Sequence, residues 1–146
     1  MTDPDCDVLV PRLESCALTP AEFTHRAHVQ AGFAYLRRRG FAGALGAMAQ
    51  AIRRFAAHHG KAALYHETIT VAFLTLIHER MAEELLARGA EDPMVLDWTG
   101  FAARHPDLFG GDLLARYYPK DVLGGALAKR CFVLPRPATK PVESRT

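Results

Sequence analysis

The longest apolar stretch of the chain, ITVAFLTLI at residues 69–77, runs without a break into HERMAEELLAR, and that junction decides the fold class. Taken alone, the β-branched residues would suit a buried strand. The strong helix formers that follow, with Ile69, Phe73, Leu76, Ile77, Met81 and Leu85 at helical intervals, specify instead a helix over 65–88 with Gly89 as its C-cap. The stretch is also well short of the roughly 20 apolar residues a membrane span requires, so a membrane is not an expected partner.

The flanking segments repeat the helical pattern. Thr19-Pro20-Ala21-Glu22 reads as a capping box with proline at the first helical position, opening a helix over 20–38. Gly40 marks its end, and Leu45, Met48, Ile52 and Phe55 then describe one buried stripe of a second helix, closed by His59-Gly60-Lys61. Asp92-Pro93 repeats the cap-plus-proline signature and predicts a helix over 92–104, ended by His105-Pro106. Brief helices over 112–118 and 121–131 complete the expectation: an all-α, compact bundle of about four longer helices with short C-terminal helices. Three segments follow: an N-terminal leader at 1–18, the helical domain at 19–134 and a flexible, proline-rich tail at 135–146.

A chain of 146 residues with 49% hydrophobic and 23% charged residues is large enough to bury a core, and its formal charge of +2 is too small to make nucleic acid the expected partner. Cys6, Cys16 and Cys131 are widely spaced and form no C-x-x-C pair, so they read as reduced thiols. The acidic start is the reverse of a secretory leader, and the expected location is the cytoplasm.

Seven histidines occur, and spacing sorts them. His25 and His28 differ by about 60° around a helix and about 4.5 Å along it, close enough to share one ion. Glu22 extends the row to Glu-x-x-His, but no second copy exists, which disfavours a di-iron carboxylate centre. His66 and His78 lie about 18 Å apart on one helix and cannot share a ligand. His66, within Tyr65-His66-Glu67-Thr68, precedes the most apolar stretch. If the third helix runs parallel to the first, His66 approaches His25 and His28, and three imidazoles converge on an open site for iron, copper or zinc. Glu67 or Thr70 would then orient a ligand or move a proton, and Tyr35, on the His28 face, would flank a substrate.

Structural roles compete with each of these. A histidine pair at this spacing is also a common surface or hydrogen-bonded pair, and Glu67 also suits a helix start as a first-turn acid. His58 and His59 at a helix end, His78 beside Glu79 and Arg80, and His105 before Pro106 fit structural positions better than a site. Tyr35, Phe73 and Met81 fit a core. Phosphate-loop, Gly-x-Ser-x-Gly and C-x-x-C-H signatures are missing from the sequence.

The strings Phe23-x-His25-x-x-His28, Tyr65-His66-Glu67-Thr68 and Arg116-Tyr117-Tyr118-Pro119 resemble those of uncharacterised small bacterial helical proteins, over most of the chain. The resemblance implies that His25, His28, His66 and Glu67 form one recurring arrangement and implies no particular reaction. The functional expectation is a metal-dependent enzyme acting on a small molecule, with His25, His28 and His66 as ligands and an oxidative reaction ahead of a hydrolytic one. The alternatives are a metal-free His/Glu acid-base enzyme and a non-enzymatic helical interaction module. The choice among metals, the substrate and the oligomeric state, a homodimer included, stay open at this level.

Overall fold

The computed structural model describes residues 3–136, and the protein is all-α. Among the described residues six α-helices follow one another: α1 (Cys6–Glu14), α2 (His25–His58), α3 (Glu67–Arg88), α4 (Trp98–Arg104), α5 (Lys120–Leu123) and α6 (Ala126–Arg130). Single 3-10 turns at Ala62–Leu64, Pro93–Val95, Pro106–Phe109 and Leu113–Arg116 join them. Among the described residues no strand is present, and no helix is long and apolar enough to cross a membrane.

The expected leader is part of the fold. Cys6, Leu9 and Leu13, spaced by three and four, are buried where α1 packs on α2, although Pro11 inside the helix removes one backbone bond. Gln30, fully buried on α2, donates to the Pro4 carbonyl at 2.6 Å, and Asp3 accepts from both Arg26 and the Trp98 indole.

The capping box at Thr19 forms without starting a helix. Thr19 N–H donates to Glu22 at 3.0 Å and Glu22 N–H to the Thr19 hydroxyl at 3.2 Å, closing a turn. The chain then extends at Thr24 (φ −70°, ψ 171°), whose hydroxyl accepts from Ala27 N–H and caps α2. Burial of Phe23 decides between these two capping sequences.

Gly40 interrupts α2 at φ 69°, ψ 179°, a conformation open essentially to glycine. The two arms fold back so that Val29 of one and Met48 and Ile52 of the other face the same space, with α3 as the third wall. The approach is tight at Gly32, where a Cβ would stand 3.0 Å from Ile77 and 3.3 Å from Leu74. On the second arm the fully buried residues are Ala44, Met48, Ala51 and Phe55, while Leu45 and Ile52 are half-buried, so the stripe is rotated toward the alanines.

α3 ends in the expected left-handed Gly89 (φ 63°, ψ 30°). The fourth helix is shorter than predicted: Asp92 caps only a 3-10 turn, and Asp97, accepting from Gly100 N–H at 2.8 Å, starts α4. The C-terminal cover is tied to the head of α3. Thr68, with no exposed surface, donates its hydroxyl to Cys131 O at 2.9 Å and accepts from Val133 N–H at 3.1 Å, and Tyr118 donates to Val133 O at 2.7 Å. Apart from Pro135 and Arg136, whose N–H reaches Tyr117 O, the proline-rich tail lies outside the described residues.

Candidate functional site

The two arms of α2 and the first half of α3 enclose a cavity of about 260 Å³. Its walls are Val29, Met48, Ile52, Ile69, Phe73, Leu74 and Ile77, and its polar groups come from His25, His28 and Thr70. An apolar cavity with a few convergent polar groups has the make-up of a small-molecule site.

His25 is the first residue of α2, with its ring edge-on to Phe73 at 4.9 Å and its Nε2 donating to Leu108 O at 2.9 Å. One turn on, His28 lies flat on Phe23, ring centroids 3.7 Å apart, and its Nδ1 donates to Thr24 O at 2.8 Å. A carbonyl oxygen only accepts, so each bond fixes a tautomer: in the neutral rings the lone pairs sit on His25 Nδ1 and His28 Nε2. Burial lowers the pKa of His28; the Thr24 carbonyl opposes this, and the nearby His25 adds to the lowering. His28 is therefore a neutral base at physiological pH.

The other candidate residues are placed elsewhere. His66 is the N-cap of α3: its Nδ1 accepts from Ile69 N–H at 3.1 Å and its Nε2 donates to Leu123 O at 2.8 Å. Both ring nitrogens are thus held by backbone, and the ring does not line the His25–His28 cavity. Thr70 does line it, with its hydroxyl donated to His66 O at 2.9 Å. Glu67 accepts from the Tyr65 hydroxyl at 2.7 Å and faces Arg53 at 3.5 Å, outside the cavity. Among the described residues no three His, Cys, Asp or Glu side chains are grouped so as to hold a metal ion.

Tyr35 is separated from His28 because α1 covers its end of α2. It lines a different cavity of about 220 Å³ with Cys6 and Glu14, and its buried hydroxyl has no hydrogen-bond partner among the described residues. Burial, with the Glu14 carboxylate adding, raises its pKa, so the phenol stays protonated. The remaining four histidines take structural positions: His58 stands edge-on to His59, whose Nε2 bonds Leu18 O, His78 packs on Phe41, and His105 bonds Glu84 at 2.6 Å.

Several contributors carried no usable sequence signal. Leu108 acts through its backbone carbonyl, which no side-chain pattern reveals, and Met48, Ile52, Ile69 and Phe73 read as ordinary core. Phe23 ahead of a threonine cap, five residues before His28, is the signature of a hydrophobic staple and was the one readable clue. Compared with protein-family models, curated proteins and solved structures, the chain finds no match.

Proposed function

We propose that the protein is a small-molecule enzyme whose mostly apolar substrate enters the His25–His28 cavity and gives up a proton to His28. The observation that supports this reading is the pair of tautomers: one nitrogen of each imidazole is fixed on a backbone carbonyl, and the other is left as a lone pair beside an otherwise apolar cavity. The lowered pKa of His28 keeps that lone pair available. His25 and Thr70 are the second and third polar anchors. The proposed setting is the cytoplasm, in keeping with the free thiols of Cys6, Cys16 and Cys131.

A chromogenic phenol such as 4-nitrophenol, whose absorbance reports its ionisation, tests the proton transfer directly. The expected result is a saturable change in the ratio of phenol to phenolate absorbance with the wild-type protein that is lost in His28→Gln, while Ile52→Phe, which fills the cavity, abolishes binding. A wild-type protein that leaves the spectrum unchanged, or a His28→Gln variant that behaves like it, defeats the reading.

A second reading is the metal-dependent one, and a specific observation favours it. Metal-bound imidazoles commonly donate their other N–H to a carbonyl, as His25 and His28 do. Iron, copper or zinc held by His25 Nδ1 and His28 Nε2 would draw its remaining ligands from water and substrate, without His66. Equimolar metal in the purified protein that disappears in His25→Ala supports this alternative, with an oxidative reaction first in line.

A further inference from the structure

His28 and Ile52 line not one cavity but two. The second, of about 220 Å³, is also walled by Phe23, Phe55, His59, Lys61 and Tyr65. Small-molecule pockets usually begin at roughly 300 Å³. Each chamber alone falls short of that size, and the two taken together pass it, with His28 and Ile52 common to both linings.

The chambers differ in charge. Among the described residues no charged side chain lines the first, whereas the second contains Lys61 and no carboxylate. Among the described residues Lys61 enters no ion pair. The nearest acid on the same segment, Glu67, is already engaged by the Tyr65 hydroxyl and by Arg53. His59 donates Nε2 to Leu18 O, and Tyr65 is fixed by Glu67 below and the Arg53 guanidinium 4.4 Å over its ring. One unpaired cation in a chamber whose other polar groups are His28, His59 and Tyr65 matches one negative charge on a ligand.

Building on the reading that the first cavity takes an apolar molecule, we propose that the ligand is an amphipathic monoacid. Its hydrocarbon body fills the first chamber and its carboxylate reaches Lys61 in the second. The molecule then passes His28 close to its acid end, so the atom that loses a proton lies near the carboxylate and not at the far end of the hydrocarbon. A single ammonium suits a carboxylate better than a phosphate ester, whose second charge would go unanswered.

Matched series of ω-phenylalkanoic acids and ω-phenylalkanols, titrated calorimetrically into the wild type, Lys61→Met and Lys61→Arg, test this, with His28 ring resonances followed in parallel. Because Lys61 is exposed, the expected preference is modest: the acid binds about three- to five-fold tighter than the alcohol of equal length in the wild type and in Lys61→Arg, and equally in Lys61→Met. If acid and alcohol bind alike in the wild type while both shift His28, the acid assignment fails and the apolar pocket stands. If no member of either series shifts His28, both readings fail.

Discussion

His28 lies face to face on Phe23, 18° from parallel, and these two residues occupy the positions that flank a threonine cap in a hydrophobic staple. The staple sets the angle at which the chain enters α2 and at the same time fixes the imidazole at the cavity wall. Replacing Phe23 by Leu keeps an apolar side chain but removes the stacking. The expected cost is about 1 kcal/mol in urea unfolding, with a downfield movement of the His28 ring protons as the ring current is lost. Unchanged ring resonances would show that the stack is not populated.

Protonation of His28 works against the fold. Its pKa is depressed below the ordinary 6.5, so on acidification the unfolded chain takes up the proton first. Its contribution to stability is therefore complete above about pH 6.5 and declines as pH falls through the folded value. Urea midpoints followed across that window should drop in the wild type and drop less in His28→Gln, and ring NMR titration should place His28 below the free imidazole.

Asp107 titrates in a separate window. Two bonds from Arg80, at 2.9 and 2.7 Å, hold its pKa down to about 2. Stability from this pair is present above about pH 4 and lost toward pH 2, and Asp107→Asn should cost roughly 1 kcal/mol at neutral pH after solvent screening and flatten the acid limb of the curve.

His66 is expected to behave as a cap. His66→Ala should lose about 1–2 kcal/mol, combining the cap with the bond to Leu123, whereas His66→Asn should recover most of the capping part because asparagine is a preferred N-cap. Equal losses for the two variants would contradict the capping role. Metal or phenol binding by either variant should match the wild type.

Gly40→Ala should cost about 1–3 kcal/mol, since alanine pays for φ 69° with ψ 179° in local backbone strain alone: among the described residues nothing beyond the adjoining backbone lies within 4 Å of the added Cβ. Gly89→Ala, in the ordinary left-handed region and equally open, should cost about 1–2 kcal/mol. Thermal or urea unfolding of the pair checks the order.

The helices were legible where a periodic face and a terminator coincided, as in α3 and its Gly89. They were less so where two starts competed. Both Thr19 and Thr24 offer a cap, and only the burial of Phe23, a tertiary event, selects Thr24. The helix at Cys6 was hidden by Pro11 and by three early aspartates, although its apolar spacing was regular. His25 and His28 could be placed at one site from spacing alone, but His66 could not be separated from them. Its engagement by Ile69 and Leu123 depends on a local backbone angle and on a carbonyl 57 residues away. Tyr35 shares the helical face of His28, yet a segment expected to be a leader covers that end of the face.

The carbonyl that fixes the His25 tautomer belongs to Leu108, 83 residues downstream, and the one that fixes His66 belongs to Leu123. During synthesis, a nascent chain that has passed α3 already has all the cavity's apolar walls, but neither of these distant oxygens. Its His25 ring is free to exchange its proton between the two nitrogens. The His25 tautomer is thus set last, by a segment that contributes no side chain to the cavity, whereas that of His28, held by Thr24 four residues earlier, is set with the helix itself, and a product truncated before Leu108 is expected to keep the hollow and the His28 proton order while losing that of His25.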